Sequence, residues 1–449
     1  MAYRDLRDFL AGLDALGELQ KVDLEVDPEL EVAAITDRHS KGADGGKALL
    51  FRRVKGSRFP VATNLFGSYA RMALALGVAD LGELSRRTER LLDAPQDLPL
   101  PVLVDSAPCQ EVVRQVPDLL SYPFLTSWPG DGGRFITLPL VFTKDPETAA
   151  VNCGMYRVRL FDDASAGIRW KRGSGGFGHH EKYAAAGLRM PVAIAVGAAP
   201  ALTLAASLPL PEPFDELSFA GFLGGEPVQM VRCLTSELSV PARAELVIEG
   251  FIEPGKTRPE GRFGNHTGRY DRGEEVPVLT VSCITHRFDP ICQATVVGPP
   301  PMEDCYLAKA AERLLLPFSQ RQCPEIVDIT LPMEGIFHGC AVIAIRKSAA
   351  GQGRRVLESL RASGWLKRGK LLVAVDASAA AQTLPGAFWQ ALNGAEFPRD
   401  LVFSEGGLGI DATRKFPEEG GEREFLELRQ DPAVSALVLR RWREYGFCD

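Results

Sequence analysis

Between residues 135 and 297 the chain is a succession of short β-rich segments, at 135–143, 150–160, 192–196, 228–231, 244–252, 276–287 and 293–297, with turn residues between them. Strands of this length at this spacing demand an antiparallel sheet or barrel. The flanks read differently. Tyr3, Leu6, Phe9, Leu10, Leu13 and Leu16 form a helical stripe that Gly17 ends. Segments 48–52 and 61–64 read as strands of a small α/β domain, and the Pro-rich stretch 93–102 as a linker. Beyond Asp304 the α/β pattern returns: a helix over 307–316, strands over 326–331 and 341–346, and a helix over 351–363. A nearly continuous apolar strand at 370–375 is typical of a parallel sheet. A chain of 449 residues accommodates about three domains. We expect an α+β multidomain protein with boundaries at 1–105, 106–303 and 304–449. The last segment, 432–445, is amphipathic through Val434, Val438, Trp442 and Tyr445, which suits either a core or a subunit contact.

Within the β-rich region, Glu260-Gly-Arg-Phe-Gly-Asn-His-Thr-Gly-Arg-Tyr270 concentrates polar chemistry on a loop. Three glycines in eleven residues exclude a helix. They surround a carboxylate, two guanidiniums, an amide, an imidazole, a hydroxyl and a phenol. A rigid scaffold carrying such a loop is the usual construction of an active site, and a solvated turn is the alternative. Glu245, Glu249 and Glu253 recur among apolar residues and read as a solvated strand face. Asn152 and Arg157 share one β-rich segment, and their spacing puts them on opposite faces unless a bulge intervenes.

Gly173-Ser-Gly-Gly-Phe-Gly178 has the Gly-x-Gly-x-x-Gly form and precedes a helical stretch, 179–186. Glycine amides and a helix N-terminus suit a phosphate. The acidic residue that a dinucleotide fold requires about twenty positions on is absent, so a phosphate is expected and a dinucleotide is not. The formal charge of −7 argues against a nucleic-acid surface. Nine cysteines at scattered spacings fit reduced thiols in a cytoplasmic protein better than disulfides or structural zinc. The charged N-terminus has no signal-peptide core. The uncharged stretch 190–211 is broken by four prolines and reads as strand and loop, not as a membrane span.

The chain resembles the UbiD family of reversible decarboxylases that use prenylated flavin mononucleotide. The carrying stretches are Ile136-Thr-Leu-Pro-Leu140, Asn152-Cys-Gly-Met-Tyr-Arg157, Pro191-Val-Ala-Ile-Ala-Val-Gly197, Asp215-Glu-Leu-Ser-Phe-Ala-Gly221, Glu260 to Gly268, Gly409-Ile-Asp-Ala-Thr413 and Trp442 to Phe447. The resemblance implies a central split β-barrel that holds the flavin, flanked by N- and C-terminal α/β domains, with a C-terminal helix supporting a homodimer or homohexamer. It implies cofactor contacts at Thr137, Met155, Tyr156, Arg157, Arg169, Trp170, Lys171, Ser174, Gly175, Ser207 and Leu208. Asn152 and Glu216 match ligands of a divalent metal, usually Mn²⁺, with K⁺ as a second candidate ion. Arg157 and Glu260 match two members of a catalytic Glu/Asp–Arg–Glu network. The implied partners are a small carboxylic acid, CO₂ and a flavin prenyltransferase that supplies the cofactor.

Two positions depart from the family pattern. Gly173 stands where a third metal ligand, a His, is expected. Asn265 stands where the proton donor is expected, and an amide cannot deliver a proton at neutral pH. The resemblance thus implies a decarboxylase of an aromatic, heteroaromatic or α,β-unsaturated acid. Its rivals are a flavin-binding relative with lost or altered activity and a non-catalytic subunit of a decarboxylase complex. Glu260 is the first substitute donor and His266, with an ordinary pKa of about 6.5, the second. Asn265 would orient the donor or the substrate.

Overall fold

The structure is a computed structural model, and it describes residues 3–362, 364–377, 383–421, 428 and 430–447. The apolar stripe near the N-terminus forms the helix Leu6–Ala15, capped by the Asp5 carboxylate, with Leu6, Phe9, Leu10 and Leu13 inside. Beside it lies a four-stranded sheet in the order Leu19–Val26, Ala48–Val54, Val61–Thr63, Cys292–Gln293. The last strand comes from the end of the β-rich region, so the segment expected there at 293–297 joins the first sheet instead, and the chain returns to its first unit before entering its third.

The central element is a nine-stranded, wholly antiparallel sheet. Its path runs Phe135–Ile136, Val158–Asp162, Ser165–Ile168, Glu275–His286, Leu246–Pro259, Met190–Val196, Leu140–Lys144, Val151–Met155, and Val112–Arg114 adds to Glu275–His286 off that path. The path is open, and no closed barrel forms among the described residues. The barrel expectation is thereby narrowed to an antiparallel sheet. The segment 228–231 belongs instead to a small separate sheet with Val102–Leu103 and Ser239–Pro241.

The third unit begins with the 20-residue helix Glu303–Gln322. Its five-stranded sheet runs Ile326–Thr330, Cys340–Ile345, Leu371–Asp376, Gly407–Asp411, Leu401–Ser404, with the three inner strands parallel. The helix expected over 351–363 is Gln352–Ala362, and Ser363 lies outside the described residues. The terminal helix Pro432–Arg440 buries none of its residues against the rest of the chain. No described helix is long and apolar enough to cross a membrane. The eight described cysteines are unpaired, and Cys448 lies outside the described residues.

One expectation is corrected. Glu245 and Glu249 are fully buried, not solvated. Glu245 is forked by Arg7, with both bonds at 2.9 Å, and also meets Arg287. Glu249 accepts the amides of Leu234 and Thr235 and the Thr235 hydroxyl. Buried carboxylates persist where charge or amide donors replace their water. Those donors sit on other elements, out of reach of a strand-face pattern. Glu253 alone is partly exposed, paired with Arg189.

Candidate active site

The β-rich segment 150–160 is two strands, Val151–Met155 and Val158–Asp162, with a break at Tyr156-Arg157. The first strand pairs with Leu140–Lys144 and the second with Phe135–Ile136 and Ser165–Ile168. This break resolves the facing of Asn152 and Arg157. Asn152 lies on the first strand and Arg157 in the break itself, at opposite ends of the candidate site.

At one end, Arg157 and Glu260 meet fork to fork, Nε to Oε1 at 2.6 Å and Nη2 to Oε2 at 2.7 Å. The Glu260 side chain is 0% exposed and that of Arg157 16%. Arg157 Nη1 donates to Asp271 Oδ2 at 2.7 Å, and its guanidinium lies 4.4 Å from the centre of the Phe263 ring. Burial opposes the charge on Arg157, yet the bonds to Glu260 and Asp271 outweigh it and its pKa is raised. The Arg169 amide donates to the Arg157 carbonyl, which sets the Arg169 guanidinium 3.9 Å from Glu260 and 2.8 Å from Glu274. The polar loop itself is a small hairpin in which Phe263–Gly264 pairs with Tyr270–Asp271. Asn265 sits in its turn. The Asn265 Oδ1 accepts from the Thr267 amide at 2.9 Å and hydroxyl at 2.6 Å, so its Nδ2 faces and donates to Asp271 Oδ1.

At the other end, the Gly-rich loop leads into the helix Gly175–Ala186, capped by Ser174, whose hydroxyl also holds the Lys171 carbonyl. The Gly176 amide donates to the Tyr156 hydroxyl at 3.2 Å, and Asn152 Nδ2 lies 3.5 Å from that oxygen. The helix packs so closely that a Cβ on Gly175 would stand 2.2 Å from Asn152 Oδ1. One on Gly176 would stand 2.8 Å from the Trp170 ring. The Trp170 ring is buried edge-on to Tyr156, and its Nε1 is a donor without a partner. Glu216 Oε2 accepts the Cys153 amide at 3.3 Å, which brings it beside Asn152, and burial pushes its carboxyl up to about 7. The Met155 amide donates to Ala206, drawing Ser207 and Leu208 alongside. Thr137 is farther along and takes the Thr295 amide at 3.0 Å. The strand after the helix, Met190–Val196, runs antiparallel to its neighbours, so no βαβ dinucleotide unit exists here.

His266 turns away from Asn265 towards the third unit. Its Nδ1 lies 3.2 Å from Asp304 Oδ2, and its ring stands edge-on to Phe337 at 4.7 Å. The two line a small cleft with Cys305, Met333 and Ile336. Burial lowers the His266 pKa to about 4, Asp271 opposing and Arg157 reinforcing, while burial raises Asp304 to about 7. The imidazole is therefore neutral at pH 7, which removes the ordinary pKa that recommended it as a donor.

All three segments of the chain match models of one family. The 3-octaprenyl-4-hydroxybenzoate carboxy-lyase N-terminal, Rift-related and C-terminal domains match residues 10–91, 102–300 and 305–422. The chain belongs to the UbiD family. It is an enzyme, a carboxy-lyase. An uncharacterized protein of Archaeoglobus fulgidus is 41% identical over 482 aligned positions, 99% of each chain. Among solved structures, an evolved dimeric form of the UbiD-class enzyme HmfF from Pelotomaculum thermopropionicum, in complex with prFMN, superposes with a TM-score of 0.84. It is 30% identical over 98% of this chain and 100% of that one. The closed form of vanillic acid decarboxylase from Sedimentibacter hydroxybenzoicus gives 0.91 at 27% identity, covering all of both chains.

Two residues that the structure brings to this candidate site were not legible in the sequence. Asp271 was unmarked because only the hairpin brings it to Arg157. Arg368 belongs to the third unit, yet its Nη1 donates to the Arg172 carbonyl at 2.9 Å. Its Nη2 lies 2.6 Å from where a Cβ on Gly173 would stand. No signal short of the tertiary contact marks it.

Proposed function

We propose that this carboxy-lyase is a non-oxidative, reversible decarboxylase of an aromatic, heteroaromatic or α,β-unsaturated acid, with prenylated FMN as the cofactor that residues of the Met155–Arg157 crossing would hold. The carrying observation is the enclosed Arg157–Glu260 fork, linked to a glycine-lined helix N-terminus through the neighbouring Tyr156, whose hydroxyl accepts the Gly176 amide. The residues fit a flavin phosphate there: the positive end of the helix at Ser174 and Gly175 favours an anion, and Trp170 Nε1 offers an unused buried donor. Thr137, Met155, Tyr156, Arg169, Lys171, Ser207 and Leu208 are the proposed walls. Asn152 and Glu216 supply an amide and a carboxylate oxygen, which suit a hard, partly hydrated cation. Among the described residues no three His, Cys, Asp or Glu groups converge to enclose a metal. No step is assigned to it.

Prenylated flavin, when bound, supplies the electron sink that a departing CO₂ requires. Arg157 spends three of its five N–H groups on Glu260 and Asp271, leaving one on each terminal nitrogen for a substrate carboxylate. Glu260 fixes the plane of that guanidinium, and Phe263 supports its face. The exposed apolar stripe of Pro432–Arg440 and Trp442 supports a homo-oligomer. The deciding experiment is co-expression with a flavin prenyltransferase, followed by the absorption spectrum and mass of the bound cofactor and CO₂ release from a panel of such acids. A modified flavin with CO₂ release is expected. Protein that co-purifies without flavin, or flavin-loaded protein inert on the whole panel, overturns the reading.

A further inference from the structure

We propose that Asp271 is the third carboxylate of the catalytic network and delivers the proton to the substrate carbon, with Asn265 as the residue that positions it. This rests on the decarboxylase reading above. The geometry is that of one guanidinium shared by two acids. Arg157 spends Nε and Nη2 on Glu260, and Nη1 on Asp271 at 2.7 Å. Asp271 is carried by the short strand Tyr270–Asp271, directly across from Phe263, whose ring supports that same guanidinium. The Asn265 amide is fixed by its two bonds from Thr267, so that its N–H points at Asp271 and nowhere else in the hairpin. An amide cannot give up a proton, but it can hold the acid that does.

The two carboxylates differ in what they can do. Glu260 has both oxygens on Arg157 and a side chain 0% exposed, so neither a substrate nor water reaches it without breaking the fork. Asp271 gives Arg157 one oxygen only, and its side chain is 35% exposed. A substrate carboxylate bound to Arg157 places a third negative charge around one guanidinium. Asp271 is the member of the cluster open to solvent, and so the one that exchanges a proton with it. The C–CO₂ bond then breaks and leaves its electron pair on carbon. The Asp271 O–H bond breaks towards that carbon, and Asp271 returns as a carboxylate to Arg157 and Asn265. One solvent proton restores it, so each turnover consumes one substrate carboxylate and one H⁺ and yields CO₂ and the protonated product.

The test compares flavin-loaded wild type, Asp271→Asn and the exchanged pair Asn265→Asp/Asp271→Asn. The exchange keeps the same amide and carboxylate and swaps their places. On an acid that wild type turns over, Asp271→Asn should lower kcat by about a hundredfold, the scale of one general acid, with KM and FMN affinity within about twofold. It should also lose deuterium incorporation from D₂O. The exchanged pair should recover at least about tenfold of that loss, as expected if the acid can occupy either place of the Asn265–Asp271 pair. Wild-type activity with Asp271→Asn within about threefold of it overturns the role of Asp271 alone. An exchanged pair no better than Asp271→Asn does the same, including where the single variant folds poorly. Wild type inert on every acid overturns the decarboxylase reading and this role together.

Discussion

Removing the Arg157 guanidinium would leave Glu260 enclosed without a counter-charge. Breaking a buried pair from one side costs about 3–5 kcal/mol, so Arg157→Ala should unfold more easily than wild type in denaturant as well as lose turnover. Glu260→Gln keeps the shape without the charge and should fold normally, yet fall in kcat by two orders of magnitude or more. The double variant should be no worse in kcat than the worse single, because the fork acts as a unit. Near wild-type turnover in either single variant would remove that residue from the mechanism. A second residue-scale expectation concerns Asp304. Its carboxyl is raised to about 7 by burial, so the folded state favours the protonated form. That contribution is full below about pH 3.8, the ordinary value, and is lost as pH rises through about 7. Asp304→Asn should therefore gain stability over wild type as pH rises from 4 to 8. A constant difference in melting temperature across that range would contradict it.

The elements that hold the site are unequal in what they tolerate. The interruption at Tyr156-Arg157 turns one β-rich stretch into two strands, and the periodicity of the stretch carries no trace of it, since a break preserves local β preference. The loop leading to Gly175–Ala186 was readable, because glycines followed by a helix have few other uses. Ala at position 175 is a better helix former than Gly. Its Cβ would nevertheless stand 2.2 Å from Asn152 Oδ1, inside a well-packed wall. Gly175→Ala should thus lower the melting temperature, because the clash outweighs the helix-propensity gain, and weaken FMN binding by about tenfold, read by flavin fluorescence, as Asn152 is pushed aside. Unchanged FMN affinity would show that Asn152 is not part of the phosphate end.

Across the whole molecule, the third unit reaches the Gly-rich loop through Arg368 and borders the polar hairpin through Asp304 and Phe337. Arg368→Ala should weaken FMN binding by at least about threefold and leave riboflavin binding unchanged, as expected of a cation that addresses a phosphate. Equal losses for both flavins would assign Arg368 to packing instead. The terminal helix exposes Val434, Leu437 and Leu439, and just beyond it the half-exposed Trp442 stacks on Phe447. Such a stripe marks an interaction surface. Leu437→Glu with Trp442→Glu should shift the protein to monomer in sedimentation while cofactor affinity holds. An unchanged sedimentation coefficient would refute the contact.

The alternation of α/β, β and α/β segments, the Gly-rich loop ahead of a helix, the polar loop at 260–270 and the family were legible along the chain, because backbone preference and glycine placement are local properties. Asn152, Arg157, Glu216 and Glu260 could be named from motifs, but their pairing could not, since Arg157 and Glu260 are 103 residues apart. Only the tertiary structure decided that Glu245 and Glu249 are enclosed, that His266 faces Asp304, that Arg368 crosses to Gly173 and that Asp271 shares Arg157 with Glu260. Each of these depends on which charge or donor a distant element brings within about 3 Å, and the electrostatics of burial are set by that neighbour rather than by the residue's own stretch of chain.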